Sequence, residues 1–213
     1  MKKALKQHPR FAKFYINLSK LMEKSGVGTL REQVLEHARG NVLEVGCGNG
    51  MNFNHYDPAK VNTVTAIEPE QILLKQAIKN ANLLTPSITV FQGQSEKLPF
   101  RNSCFDSVVF TLVLCSVLDP IKSLQEAKRV LKPGGKIVLL EHIKADSSLL
   151  LSAQKLANLV WPYFAGGCRL TRNTPSLVET SGFVNINKKL FSFLPTPLAV
   201  LTSPMVILTA QKP

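Results

Sequence analysis

From residue 41 to residue 142 the chain alternates short apolar runs with amphipathic stretches of helical period. Asn41–Val45 is an apolar run that enters Gly46-Cys-Gly-Asn-Gly50, and it reads as a buried strand feeding a tight loop. Val61–Ile67 is β-branched and alternating, and it ends at Glu68-Pro69. Ile72, Leu73, Ala77, Ala81 and Leu84 recur at helical spacing and predict a helix over Glu70–Leu84. Strands are predicted at Ile88–Gln92 and Ser107–Leu114, the second apolar throughout, as suits the centre of a parallel sheet. Ile121–Leu131 is an amphipathic helix closed by Lys132-Pro-Gly-Gly135, a stop signal, and Lys136–His142 is a fifth strand. The rhythm then changes. Ser147–Phe164 reads as one helix, followed by two β-rich stretches, Asn185–Phe193 and Met205–Ala210. Alternating βα units specify an α/β fold: a Rossmann-like, seven-stranded, mostly parallel sheet with helices on both faces and a β-rich antiparallel element at its C-terminal end.

The 213 residues suffice for one domain with small additions, and 45% hydrophobic against 19% charged residues is a globular composition. No uninterrupted apolar run approaches the roughly 20 residues that span a bilayer, and Lys and Arg repeatedly interrupt Met1–Lys24, unlike a secretory signal. Cys47, Cys104, Cys115 and Cys168 are scattered without a C-x-x-C pair, so spacing indicates neither a metal site nor a disulfide framework. Reduced thiols and a cytoplasmic location are expected. The net charge is +12, and residues 1–40 hold nine Lys/Arg against three Glu. Phe11, Phe14, Tyr15, Leu18, Leu21 and Met22 form an apolar stripe beside that charge. Such a helix lies on an anionic membrane, covers an apolar pocket, or packs as a basic surface helix. No nucleic-acid recognition motif accompanies the charge, and nucleic acid is not an expected partner. Residues 1–40 are taken as a cationic amphipathic cover and residues 41–213 as the main domain; oligomeric state is not legible.

Gly46-x-Gly48-x-Gly50 follows the first strand directly, where a sheet of this kind binds its nucleotide. Glycine there lets the backbone turn sharply and approach a ligand without an intervening Cβ. Glu68 ends the second strand, 18 residues past Gly50, at the distance from which a carboxylate accepts from ribose hydroxyls. A dinucleotide fingerprint requires Gly or Ala at the sixth position, where this chain has Met51. A ligand without a pyrophosphate, such as S-adenosylmethionine (SAM), does not need that residue.

Val42-Leu-Glu-Val-Gly-Cys-Gly-Asn-Gly50 resembles the first motif of class I SAM-dependent methyltransferases. Gly93-Gln-Ser-Glu-Lys-Leu-Pro-Phe100 resembles the third-strand motif of their quinone-biosynthesis branch. Phe105-Asp-Ser-Val-Val109 and Arg129-Val-Leu-Lys-Pro-Gly-Gly135 resemble the segments around strands four and five. Thr111-Leu-Val-Leu-Cys-Ser-Val117, Glu141-His142 and Gly166-Gly-Cys-Arg-Leu-Thr-Arg172 are similar to the group that includes the animal alkyl-thiol methyltransferases. Animal members begin with a hydrophobic anchor, and here a shorter cationic segment stands in that place. The resemblance implies SAM as cofactor. Gly46, Gly48 and Gly50 would face its methionine portion, with Glu44 orienting that end. Glu68 would hold the ribose, Pro69 and Glu70 would flank the adenine, and Gln94 and the Ser95 N–H would meet the adenine edge.

Acceptor-side candidates lie at the carboxyl ends of strands four and five: Thr111 (also a cofactor contact), Cys115, Asp119, Glu141 and His142. His142 is the foremost candidate base, because neutral imidazole accepts a proton near pH 7, with Asp119 beside it as a second catalytic candidate. Cys168, Arg169 and Arg172, and Trp161, Tyr163 and Phe164, are candidates for the pocket wall. The expected activity is methyl transfer to a small lipophilic molecule such as an alkyl thiol. The alternatives are a quinone ring or phospholipid amine as acceptor, or a SAM- or nucleotide-binding protein without turnover. Residues 1–24 would give reversible contact with an anionic membrane.

Overall fold

The computed structural model describes residues 7–82, 84 and 86–213. Its strands are β1 (Gly40–Val45), β2 (Val61–Glu68), β3 (Ser87–Gln92), β4 (Phe105–Thr111), β5 (Leu131–His142), β6 (Val184–Ser192) and β7 (Pro204–Gln211). They form one sheet in the order β3-β2-β1-β4-β5-β7-β6. β1 to β5 pair parallel, and β7 runs antiparallel to both β5 and β6, as expected from the sequence. The chain order reverses between β1 and β4, and the crevice outside the strand ends at such a point is where this architecture binds ligands.

The central strands are apolar almost throughout because both faces are covered. Side chains alternate between faces: Val108, Phe110, Ile137 and Leu139 pack with Leu124, Ala127 and Val130 of α4 (Pro120–Val130) and Val178 of α7 (Thr174–Thr180). Val109, Val138 and Leu140 pack on the other face with Leu30, Val34 and Leu35 of α2 (Gly28–Leu35). α3 (Gln71–Ala81) begins at Glu70, whose side chain accepts from the Ile72 N–H. α1 (Pro9–Met22) leads into α2 through a π-helical turn, Glu23–Val27, in which Gly26 takes φ 108°.

Boundaries moved where tertiary contacts or proline intervened. The helix expected over Ser147–Phe164 is two, α5 (Ser148–Ala157) and α6 (Trp161–Phe164). Pro162 lacks the N–H that would bond the Asn158 carbonyl, and its ring crowds that carbonyl. β4 stops at Thr111 rather than Leu114, because Leu112 turns to φ 58°. α3 ends at Ala81, short of Leu84, and Leu83 lies outside the described residues. β5 begins at Leu131, directly after α4, with a register irregularity before Lys136.

Candidate active site

A cavity of about 1340 Å³ opens at the carboxyl ends of β1, β2, β4 and β5, roofed by α1. Phe11, Tyr15, Leu18 and Met22 of the apolar stripe line it, whereas Phe14 on the outer side is 62% exposed. The apolar stripe of the cationic segment thus packs over the cavity. The start of α1 is tied to the rim: the Gln7 amide donates to the Pro69 carbonyl at 2.8 Å and the His8 N–H to Glu70 Oε2 at 2.6 Å.

Glu44, Gly46, Gly48, Glu68, Pro69, Gln94, Ser95, Thr111 and His142 are brought together on this one cavity. Glu68 is buried at the end of β2, where its two oxygens accept from the Gly48 N–H at 2.8 Å and the Glu70 N–H at 2.9 Å. Burial raises its carboxyl to about 7, against those two hydrogen bonds. A carboxylate has about four acceptor directions, so both oxygens keep capacity for ligand hydroxyls. Gly46 takes φ 69°, and a Cβ there would lie 2.7 Å from the Val113 side chain. Gly50 does not line the cavity; a Cβ on it would lie 2.5 Å from the Phe53 ring, so it serves the turn and not the ligand. Ser95 lines the cavity with its Oγ engaged by Ser123 Oγ at 2.7 Å.

Beneath the glycine loop lies a polar network that sequence reasoning missed in part. Glu44 accepts from the Tyr56 hydroxyl at 2.8 Å and from Asn52 Nδ2 at 3.1 Å, and Asn52 Nδ2 also reaches Thr111 Oγ1 at 3.0 Å. Burial raises the Glu44 carboxyl to about 7, although the Tyr56 hydroxyl and the Arg31 charge oppose the rise. Arg31, itself buried, donates to Asn52 Oδ1 at 2.7 Å and to Glu23 Oε2 at 3.1 Å. Burial raises the Tyr15 phenol of α1, against the charge and the hydrogen bond of the Arg31 guanidinium beside it. Nothing local distinguished Arg31 from the other basic residues of the segment; only packing selects it. Asn49 also lines the cavity: its Nδ2 donates to Ser19 Oγ at 2.9 Å, while its buried Oδ1 has no partner.

At the opposite end Cys115, His142 and Cys168 form one wall. His142 Nε2 lies 3.0 Å from Cys168 Sγ, and His142 Nδ1 is buried without a partner among the described residues. The Cys115 thiol beside Cys168 lowers its pKa, against desolvation. Desolvation pulls His142 down, but Cys115 and Glu141 carry it upward on balance. Glu141 points away from the cavity, and its Oε1 accepts from the Val113 and Leu114 N–H groups at 2.7 Å each, which shapes the loop after β4. Asp119 is a correction: it is exposed, lies outside the cavity, and caps α4 by accepting from the Lys122 N–H at 3.0 Å. Arg172 donates to the carbonyls of Leu114 and Val117 and so braces that loop. Trp161, Tyr163 and Arg169 line the cavity, whereas Phe164 does not.

The residues present fit SAM. A carboxylate ends β2, the loop approaches without a Cβ, Arg31 brings a guanidinium to the cavity, and Asn49 Oδ1, unpartnered among the described residues, suits an ammonium N–H. A profile of the methyltransferase domain matches residues 43–139. The chain is 39% identical over 150 residues to thiol S-methyltransferase TMT1B of Rattus norvegicus, covering 68% of this chain and 60% of that protein's length. It is 32% identical over 179 residues to thiol S-methyltransferase TMT1A of Homo sapiens, covering 82% and 72% respectively. A solved SAM-dependent methyltransferase of Thermotoga maritima, a possible histamine N-methyltransferase, shares the fold at TM-score 0.71 and 20% identity, over 96% of this chain and 99% of that one. Cofactor pocket, domain profile and relatives converge: the chain belongs to the class I SAM-dependent methyltransferases, in the group that holds the thiol S-methyltransferases.

Proposed function

We propose that the chain transfers a methyl group from SAM to the sulfur of a small lipophilic thiol. The observation that carries this reading is the likeness to thiol S-methyltransferases over 68–82% of the chain. When bound, SAM supplies an electrophilic methyl on a sulfonium whose leaving group departs neutral. The protein's part is therefore binding and alignment, worth several kcal/mol and at most about 7–11 in well-oriented reactions. Glu68 would accept the ribose hydroxyls, and Pro69 and Glu70 would border the adenine with Gln94 and the Ser95 N–H at its edge. The Arg31 guanidinium, which lines the cavity, would meet the methionine carboxylate, and Glu44 holds Asn52 and the loop in place. The acceptor enters against Cys115, His142 and Cys168. A thiol attacks as thiolate, and with a reference pKa of about 8.5 little is ionised near neutrality; the His142 imidazole takes that proton.

Transfer of a tritiated methyl to panels of alkanethiols, amines and quinones tests the assignment. Label should pass to the thiols. Label passing only to amines or quinones would replace the acceptor, and SAM binding without transfer to any panel would replace turnover by binding alone.

We further propose that the chain works in the cytoplasm, in reversible contact with anionic membrane through residues 1–24. Arg10, Lys13, Lys20 and Lys24 are exposed on α1 and the turn after it, beside exposed Phe14 and Leu21, and the first six residues lie outside the described ones. Leu156, Leu159, Tyr163 and Phe164 extend the exposed apolar surface. No helix of the described residues is long and apolar enough to cross a membrane. Each basic residue near an anionic surface adds about 1 kcal/mol. Lys13→Glu with Lys20→Glu should release the protein from phosphatidylserine vesicles in sedimentation; equal pelleting of both forms refutes the contact.

A further inference from the structure

The acceptor wall carries more chemistry than a single base requires. Cys115 lies in the loop after β4, His142 ends β5, and Cys168 lies in the turn after α6. Although scattered along the chain, the three present one ligand atom each within 4.8 Å of one another. They are 3%, 4% and 8% exposed, and all three line the cavity. Tetrahedral zinc, with bonds of about 2.3 Å to sulfur and 2.0–2.1 Å to nitrogen, holds its ligand atoms about 3.5–3.8 Å apart. His142 Nε2 lies 3.0 Å from Cys168 Sγ, and no two of the three ligand atoms are more than 4.8 Å apart, so small side-chain adjustments reach that separation.

We propose that Cys115, His142 and Cys168 bind one zinc-class divalent cation whose fourth position, open to the cavity, takes the sulfur of the methyl acceptor. The acceptor role rests on the methyl-transfer reading above. Structural zinc sites close with four protein ligands, whereas reactive ones keep three and leave a position for substrate. Thiolate and imidazole donors select zinc over calcium or magnesium, and two thiolates neutralise a divalent ion. The acceptor binds as thiolate, its S–H proton passing to water, so that ionisation shifts from His142 to the metal. A sulfur lone pair then forms the new S–C bond to the methyl. The bond from that methyl to the sulfonium breaks with its electron pair on the departing sulfur, giving a thioether and a neutral sulfide without oxidation or reduction. A thioether lacks the thiolate charge and leaves. The same preference for soft sulfur disfavours amines and quinones at this wall.

The test uses reduced, chelator-stripped protein titrated with cobalt(II). Thiolate-to-cobalt charge transfer and tetrahedral ligand-field bands should saturate at one equivalent and vanish on adding zinc. Butanethiol should alter the ligand-field bands, and butylamine should not. Cys115→Ser and Cys168→Ser should each lower cobalt affinity at least tenfold, while calorimetric binding of S-adenosylhomocysteine stays within twofold. Absence of charge transfer in the wild-type protein overturns the site, whatever the methyl-transfer assay shows. Cobalt bands indifferent to butanethiol, or full thiol methylation by stripped protein, overturn the acceptor role. A cobalt site that responds to butanethiol in a protein that methylates no thiol would uphold the site and sink the activity.

Discussion

Glu68 sits between two backbone N–H groups and an open cavity, and its carboxyl is lifted to about 7 by burial. Below that value it is protonated and a weaker acceptor for hydroxyls. SAM binding should therefore strengthen as pH rises from 6 to 8, and Glu68→Gln should remove that dependence in calorimetry; a pH-independent wild type would refute the assignment. Glu68→Ala should weaken binding by at least about 1–3 kcal/mol through lost charge-assisted hydrogen bonds. Arg31 offers a different signature. Arg31→Lys keeps the charge but loses the planar fork, and should cost about 1–2 kcal/mol for SAM. Adenosine, which lacks the methionine end, should bind both forms alike. At this scale the sequence was informative where backbone geometry demanded a residue type, as at Gly46, and silent where a common residue was recruited by burial, as with Arg31 and Asn52.

Among elements, β5 is the most heavily used: it pairs with β4 and β7, buries both faces, and delivers Glu141 and His142 to opposite sides of its end. Leu139 is fully buried in the cluster shared with α4 and α7. Leu139→Ala should cost about 2–5 kcal/mol in urea unfolding; a loss below 1 kcal/mol would mean that the face is not packed as described. The strands were legible because continuous apolar runs of this length have few alternatives. Their ends were less so. β4 turns at Leu112 because Glu141, 29 residues away, claims the next two amides. The break between α5 and α6 was written in Trp161-Pro162, yet the apolar periodicity ran through it.

For the molecule as a whole, the polar floor makes stability depend on pH. Glu44 is fully buried with its carboxyl raised from 4.5 to about 7. The folded state therefore holds a proton that the unfolded chain releases, and its contribution is fully present below pH 4.5 and lost as pH rises through about 7. Cofactor-free protein should lose stability between pH 5 and 7, and Glu44→Gln should reduce that slope in urea melts, the likewise raised Glu68 contributing the remainder. An unchanged slope would place the titration elsewhere.

By itself the sequence determined the sheet, the βα order, the glycine loop after β1 and the carboxylate that ends β2, because each is imposed locally by periodicity, by glycine backbone freedom or by a fixed distance past the first strand. Only the tertiary structure decided what stands opposite the cofactor. Cys115, His142 and Cys168 carry no spacing signal, and Asp119, the second catalytic candidate after His142, caps a helix outside the cavity. The physical reason is that a strand or a loop is specified by its own residues, whereas an acceptor wall is specified by which distant segments the sheet brings to one end.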